Sequence, residues 1–91
     1  MYELEYSGQF KKDLKRCLAR GCDQSAIQVV IDLLQTNGTL PIEYRPHRLS
    51  GRFANYWECH IKPDWLLIYD VKETIRLVSL ARTGTHSDLF K

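Results

Sequence analysis

The chain has 91 residues, of which 44% are apolar and 26% charged, and its formal net charge is +2. This length suits one small domain with a single core, so residues 1–91 are predicted to form one domain. The composition excludes a disordered chain, and no apolar run approaches the ~18 residues that a membrane-spanning helix needs. The first residues lack the basic and apolar regions of a signal peptide, so we expect a cytoplasmic protein without a membrane partner.

Positive charge is concentrated in two stretches, although the net charge is small. The first predicted helix carries five cations around the single acid Asp13: Lys11, Lys12, Lys15, Arg16 and Arg20. A solvated helix face is the simpler interpretation of that stretch. The second stretch, residues 45–53, contains no acid, and its basic residues are Arg45, His47, Arg48 and Arg52. Two local patches on a nearly neutral protein favour a polyanion bound at a defined place.

Thiol, metal and cofactor chemistry are not indicated by the sequence. Cys17, Cys22 and Cys59 are an odd number of cysteines without an export signal, which predicts reduced thiols. Their spacing matches no zinc-binding pattern. The chain also has no glycine-rich phosphate loop, paired-carboxylate metal motif, serine nucleophile elbow or Cys-x-x-Cys motif. We therefore predict no metal and no cofactor, and any chemistry should be acid–base catalysis.

The first part of the chain is predicted to form a strand and two helices. Residues 2–6 alternate apolar and acidic side chains, as a strand with one buried face does. Residues 8–20 have apolar side chains at helical spacing and cations on the other side. A second helix begins at Asp23 or Ser25 and ends at residues 37–38, where asparagine and glycine permit a left-handed conformation. The short connection between the helices predicts an antiparallel hairpin.

After a loop with two prolines, the remainder of the chain is predicted to form strands. Their patterns cover residues 47–50, 56–61, 65–71 and 74–82. In the second of these, Trp57, Cys59 and Ile61 point to one face, while Glu58 and His60 point to the other. The expected fold is α+β, with the two-helix hairpin on one face of a small, mainly antiparallel sheet whose strand order stays open. The opposite face is then partly uncovered, and His60 can meet the C-terminal tail there.

Three histidines are the main candidates for chemistry, because histidine can take and give a proton near neutral pH. They are His47, His60 and His86, and the residues that could complete a site with them are Asp64, Arg82, Trp65 and Phe90. Each histidine alone is more often structural than catalytic. Together, however, this set supplies what metal-free RNA cleavage requires: a base for the ribose 2′-hydroxyl, an acid for the leaving 5′-oxygen, cations and stacking rings. A core position explains Trp65 equally well, and Phe90 could simply anchor the tail.

Four stretches carry motifs that resemble one known family. They are residues 5–9, 47–51, 59–69 and 82–90, so the similarity covers essentially the whole chain. The most specific motifs are Pro63-Asp64-Trp65, which follows His60, and the run from Arg82 to His86. Together they resemble the YafQ-like branch of the RelE/ParE superfamily, the toxins of bacterial type II toxin–antitoxin modules.

The resemblance implies both a fold and an activity. The fold would be RelE-like, of the microbial RNase type. The activity would be that of a ribosome-dependent endoribonuclease, which cuts translated mRNA in the decoding site without a metal. A small antitoxin would neutralise the toxin, and the toxin would reach operator DNA only as part of the complex with that antitoxin.

Individual roles also follow from the resemblance. It assigns acid–base roles to four residues: His47, His60, Asp64 and His86. It makes Arg82 the phosphate ligand, and it places Trp65 and Phe90 near the substrate as supporting residues. Arg48, beside His47, is expected to contact the substrate as well. We expect His86 to protonate the leaving oxygen, with Asp64 and His60 handling the 2′-hydroxyl proton. His47 would position the phosphate or act as the base, so the choice of base stays open.

Two positions depart from the family pattern, and two other functions compete. Trp57 stands where a basic residue is expected, and Lys91 adds a positive charge directly after Phe90. Other proteins of the superfamily inhibit DNA gyrase, but they generally lack the three histidines, which favours the nuclease. An inactive binding module is the third interpretation, since one scaffold can host all three functions.

Overall fold

Two helices cover one face of a five-stranded sheet, and a third, short helix lies on the other face. The computed structural model describes residues 1–90, so the extra charge predicted at Lys91 lies outside the described residues. The elements in chain order are β1 (Glu3–Tyr6), α1 (Gly8–Ala19), α2 (Gln24–Asn37), β2 (His47–Arg48), β3 (Trp57–Lys62), β4 (Trp65–Lys72), β5 (Leu77–Gly84) and α3 (His86–Leu89). The strand order is β1-β5-β4-β3-β2, with β1 parallel to β5 and the other neighbouring pairs antiparallel. The predicted α+β fold with a mainly antiparallel sheet is confirmed.

Local sequence signals set the ends of both long helices. Ser7 caps α1 by accepting a hydrogen bond from a backbone N–H of the first turn at 2.9 Å. Of the two predicted starts of α2, Asp23 is the N-cap. Gly38 ends α2 with a left-handed φ of 70°, and a Cβ there would overlap the ring of Tyr2, so only glycine fits. Within residues 1–90 no helix is both long and apolar enough to cross a bilayer.

Two predicted strands are shorter than expected. The strand predicted at residues 47–50 is limited to His47–Arg48, because a 3-10 turn follows at Gly51–Phe53. The last strand begins at Leu77 instead of residue 74, because Arg76 adopts a φ of 53° in the turn before it. Positive φ is uncommon for arginine, so the alternation of side chains did not reveal this turn.

The main core lies between the helix pair and the sheet. Both helices and alternate positions of three strands contribute to it: Phe10, Ile27, Val30, Ile31, Leu34, Cys59, Ile61, Leu67, Tyr69, Val78 and Leu80. Burying a side chain of this size contributes about 1.5–3 kcal/mol. Trp57 packs against this core beside Cys59 and Ile61, so the predicted inward face of β3 is confirmed.

A smaller cluster on the opposite face holds the C-terminal helix. Leu66 and Ile68 of β4 are fully buried, and they pack with Leu89 of α3. Partly buried residues complete the cluster: Leu49, Phe53, Tyr56 and Ala81. The tail therefore folds back over the sheet as predicted, but it does so as a short helix with its own apolar anchor.

A buried carboxylate joins α1 to the end of β5. Asp13 is fully buried, and it accepts hydrogen bonds from Arg82 Nε at 2.6 Å, Gln9 Nε2 at 3.0 Å and Thr83 N at 3.2 Å. Burial alone raises the pKa of Asp13, but the bonds from Arg82, Gln9 and Thr83 outweigh it, so the net pKa lies below the ordinary value. This carboxylate is therefore ionised at neutral pH, and each of its two oxygens accepts hydrogen bonds.

Removing this carboxylate is expected to destabilise the fold strongly. Asp13→Ala leaves the Arg82 guanidinium and the Thr83 N–H without their acceptor, which should lower the free energy of unfolding by about 3 kcal/mol. Asp13→Asn retains an acceptor oxygen and should cost less. Urea denaturation at pH 7 measures both, with Asp32→Ala on the exposed face of α2 as the matched control. An Asp13→Ala protein as stable as that control would contradict this assignment.

The same interaction predicts how stability depends on pH. Because the native pKa of Asp13 lies below its unfolded value of about 3.9, its stabilisation is complete above that value and is lost as the pH falls through the native pKa. The difference in unfolding free energy between wild type and Asp13→Asn should therefore shrink on acidification. Denaturation series at pH 7 and at acidic pH measure it, and a constant difference would show that the charge has no part in it.

Candidate active site

Three imidazole rings come together on the sheet face that α1 and α2 leave uncovered. The ring centroid of His60, in the middle of β3, lies 6.3 Å from that of His47 and 6.0 Å from that of His86. Strand pairing places His47 opposite Glu58, two residues before His60, and α3 brings His86 to the other side. Side chains that are far apart in the sequence are thus assembled into one group.

His86 is held by a carboxylate from the turn between β3 and β4. Asp64 Oδ1 accepts hydrogen bonds from His86 Nδ1 at 2.8 Å and from the His86 backbone N–H at 3.0 Å. The backbone bond first, and then the side-chain bond, lower the pKa of Asp64. Because a carboxylate only accepts, His86 carries its proton on Nδ1, and Nε2 is the ring atom left for a substrate. The predicted proximity of these two residues is therefore present.

The helix that carries His86 is fixed by α1. Thr85 and Asp88 form a reciprocal capping box, with bonds of 3.0 and 3.1 Å between side chains and backbone N–H groups. Arg20, the C-cap residue of α1, donates to Asp88 Oδ2 at 2.8 Å, and this bond together with the capping bonds lowers the pKa of Asp88. A Cβ on Gly84 would lie 2.8 Å from the same oxygen, so the chain must be glycine there. Residues outside the histidine group thus set the position of His86.

Glu58 is the site residue that the sequence analysis did not select. Its carboxylate is 5% exposed, and Oε1 lies 3.3 Å from His47 Nε2 and 3.8 Å from His60 Nε2. The alternation in β3 had already placed Glu58 on the same face as His60. A buried carboxylate between two imidazoles would have been the signal, but burial at that position could not be inferred from alternation alone.

Backbone carbonyls orient the other two histidines. His47 Nδ1 lies 2.9 Å from Arg45 O, and His60 Nδ1 lies 3.3 Å from Pro63 O. A carbonyl oxygen can only accept, so both rings donate through Nδ1, and in the neutral form Nε2 carries a lone pair. Both Nε2 atoms lie on the side of the Glu58 carboxylate. The geometry thus suits proton uptake at either ring.

The two predicted aromatic residues differ in exposure. Phe90 is 42% exposed, and its ring centroid lies 5.7 Å from Phe53 and 6.3 Å from His86. Its ring can therefore receive a base. Trp65 is only 5% exposed, and its Nε1 donates to Thr83 Oγ1 at 2.9 Å within the helix-side core. Of the two explanations for Trp65, the structure supports the core position, since a ring so deeply buried cannot stack on a substrate.

The two predicted arginines are each engaged by another side chain. Arg82 pairs with Ile68 of the open-face cluster, and it donates through Nε to Asp13 Oδ2 while its side chain stays 22% exposed. The Arg48 guanidinium lies over the Trp57 ring, 5.4 Å from its centroid. Strand pairing sets Arg48 against Trp57, and Trp57 packs on the opposite side of β3 from Glu58 and His60. Arg48 thus lies on the helix-side face, which corrects its expected position, while the role of Arg82 as phosphate ligand stays a prediction.

Acid–base chemistry is what the described residues can supply. Burial raises the pKa of the Cys59 thiol to about 12, so this sulfur is not a nucleophile at neutral pH. Among residues 1–90 no group of three histidine, cysteine, aspartate or glutamate side chains is arranged to hold a metal ion. Three imidazoles with two carboxylates, in contrast, can pass protons to and from a bound substrate.

Comparison with known proteins agrees with this fold over the full chain. A model of the family described as bacterial toxin of type II toxin-antitoxin system, YafQ, matches residues 2–91. The mRNA interferase toxin YafQ of Escherichia coli strain K12 is 42% identical over 90 residues, which cover 97% of this chain and 95% of that protein. The crystal structure of the E. coli DinJ-YafQ complex matches with a TM-score of 0.90 and 38% identity, covering all of both chains. A metal-bound toxin from Helicobacter pylori matches at 0.89 and 39%, covering 99% of this chain and 100% of that one.

Fold and site together define a small α+β protein with three histidines and two carboxyl side chains grouped on an open sheet face. The chain belongs to the YafQ family of toxins of bacterial type II toxin–antitoxin systems. The resemblance inferred from its four motif stretches is therefore confirmed.

The Asp64–His86 contact predicts a local change in dynamics. Asp64→Ala removes the acceptor of both the His86 backbone N–H and its ring, so the start of α3 should open more often. The His86 amide should then exchange with solvent at least about tenfold faster, while the Leu67 amide in β4 keeps its rate. Hydrogen exchange followed by NMR measures both, and an unchanged His86 amide would show that this contact does not hold α3.

Proposed function

We propose that this protein is a toxin that cuts mRNA during translation, by metal-free attack of a ribose 2′-hydroxyl on the adjacent phosphate. The observation that carries the proposal is the convergence of His60, His86 and Asp64 on the open face, with ring centroids 6.0 Å apart. The E. coli relative is named an mRNA interferase, which supports RNA as the substrate. This site supplies a proton acceptor and a proton donor on either side of one phosphate.

The reaction divides into two proton transfers around one phosphorus. His60 takes the 2′-hydroxyl proton on Nε2, because its Nδ1 is already donating to Pro63 O. The 2′-oxygen then bonds to phosphorus, and the bond from phosphorus to the 5′-oxygen breaks. His86 in its charged form gives the Nε2 proton to that leaving oxygen, while Asp64 holds its Nδ1. The products are a 2′,3′-cyclic phosphate and a 5′-hydroxyl end.

Supporting roles follow from the remaining contacts. His47, held between Arg45 O and the Glu58 carboxylate with its ring centroid 6.3 Å from that of His60, is assigned to positioning the substrate beside His60. Phe90 offers an exposed ring for stacking. Arg82, which pairs with Ile68 on the same face and is 22% exposed, is assigned to the phosphate charge, with its Nε held by Asp13.

Ribosome dependence is part of the proposal because the site is open. The side chains of His86 and Asp64 are 56% and 65% exposed, so the protein alone encloses little of an RNA strand. A message held in the decoding site would be presented in a fixed geometry, which supplies the orientation that an open site lacks. The same exposure allows another protein to inhibit the site by covering it. We therefore assign this toxin a cognate antitoxin, as E. coli YafQ has DinJ, and contact with operator DNA only through that complex.

Replacing His86 tests the assignment of the general acid. His86→Gln keeps a polar side chain but cannot donate a ring proton, so cleavage of a translated message should slow by at least about 100-fold. Ser87→Ala, on the neighbouring exposed position of α3, is the matched control and should cut normally. Primer extension on a message translated by purified ribosomes measures the rate. Normal cleavage by His86→Gln would remove this role from His86.

Ribosome and metal dependence are tested with the wild-type protein in the same assay. Cleavage should disappear without ribosomes and should persist with 1,10-phenanthroline, which removes transition metals and spares the Mg²⁺ that ribosomes need. Cleavage of free message, or inhibition by the chelator, would contradict those parts of the proposal. Intact message together with loss of gyrase supercoiling activity would instead identify a gyrase inhibitor.

A further inference from the structure

A second feature, not used in the proposed reaction, adjoins His60. It is a cleft of about 440 Å³, which falls within the ~300–1,000 Å³ typical of small-molecule sites. One wall is the 3-10 turn Ile42–Tyr44 with Arg45, and the other is the end of β3 with Lys62 and Pro63. His60 lines the cleft as well, so the cleft and the proposed site share this residue.

Both walls of the cleft are tied to the catalytic group through backbone atoms. The Arg45 carbonyl accepts from His47 Nδ1, and Arg45 itself has a left-handed φ of 51° after the 3-10 turn. The Pro63 carbonyl accepts from His60 Nδ1. Tyr44 is half-buried against the main core, which fixes its ring at the cleft wall. The position of the cleft relative to the imidazoles is thus set by the fold.

The chemistry of the lining fits one nucleotide. Arg45 and Lys62 are exposed cations; Glu43 is the acid in the lining and Asp23 lies near Lys62 outside it, so the charge within the cleft favours a phosphate. Tyr44 presents an aromatic ring, and bases stack on such rings whatever their identity. We propose that this cleft is a subsite for the nucleotide that flanks the cleaved bond, with its base against Tyr44 and its phosphate held by Arg45 and Lys62. The assignment rests on the proposed function, because it takes the message to be the strand that crosses His60.

An acidic peptide is the competing occupant, since two cations and a tyrosine could also receive carboxylates. RNA is favoured because a strand whose phosphate lies at His60 must continue to one side, and the cleft opens there. A peptide, in contrast, has no reason to pass His60 before it enters the cleft.

Binding of an uncleavable RNA by the isolated protein tests the subsite. The probe is a tetranucleotide with 2′-O-methyl riboses, titrated into ¹⁵N-labelled protein at two salt concentrations. The double variant Arg45→Gln with Lys62→Gln should bind about tenfold more weakly and lower the salt slope by about 0.7–1.4. Lys11→Gln with Lys12→Gln removes the same charge from the exposed side of α1 and should change the affinity less than twofold.

Tyr44 is tested with a matched pair of variants and a modified probe. Tyr44→Phe keeps the ring and should bind like the wild type, whereas Tyr44→Leu should lose about tenfold. That loss should vanish when the base at the subsite is replaced by an abasic residue, because the ring then has nothing to stack on. Thermal melting of each variant establishes that it is folded, and Tyr44→Met replaces any leucine variant that is not. The same abasic substitution in a translated message shows whether the bound base comes from the message or from ribosomal RNA. If it comes from the message, wild type and Tyr44→Leu should cleave the abasic message at the same rate.

Three results would overturn the subsite. These are equal weakening by the two charge variants, no amide shifts around the cleft on adding RNA, or shifts caused there by hexaglutamate but not by RNA. The measurement needs no cleavage, so it is independent of the proposed reaction. A wild type that fails to cut translated message would refute the function, whereas normal cutting with unchanged binding by the Arg45/Lys62 variant would refute only the subsite.

Discussion

The Asp13 carboxylate joins the two layers of this protein at the place where the site begins. It is buried completely, and it accepts bonds from Arg82 and Thr83 near the end of β5 as well as from its own helix. Because β5 leads directly into α3, the position of His86 depends on where that strand ends. A buried charge with all its donors in place is specific to one arrangement, since any other leaves it unpaired.

The site itself is organised by backbone atoms more than by side chains. Two of the three imidazoles donate to carbonyl oxygens of neighbouring turns, and the third is held by a turn carboxylate that also binds a backbone N–H. Turns of this kind have few alternative conformations, so the ring orientations are fixed before a substrate arrives. Glu58, buried between two rings, places a carboxyl oxygen 3.3 Å from His47 Nε2 and 3.8 Å from His60 Nε2. An open location is therefore compatible with a well-ordered site.

Much of this arrangement could be predicted from side-chain alternation and helix capping. These patterns placed Glu58 and His60 opposite the core-facing residues of β3, and they indicated that the tail returns to the open face. They could not predict partners of long side chains: Arg82 reaches a buried acid 69 residues away, which no local pattern encodes. Trp65 left two interpretations open, because an aromatic residue at a strand start suits both core and surface until burial is known. The short helix α3 was missed for a similar reason, since four residues give no helical periodicity.

The bond between Arg20 and Asp88 has a consequence for control of the protein. Arg20 follows α1 on the helix side of the molecule and its side chain is 49% exposed, yet it binds Asp88 of the short helix that carries His86. A ligand that bound Arg20 in place of Asp88 would remove this contact and loosen α3. A ligand on the helix side of the protein could therefore act on His86 without covering the open face of the sheet.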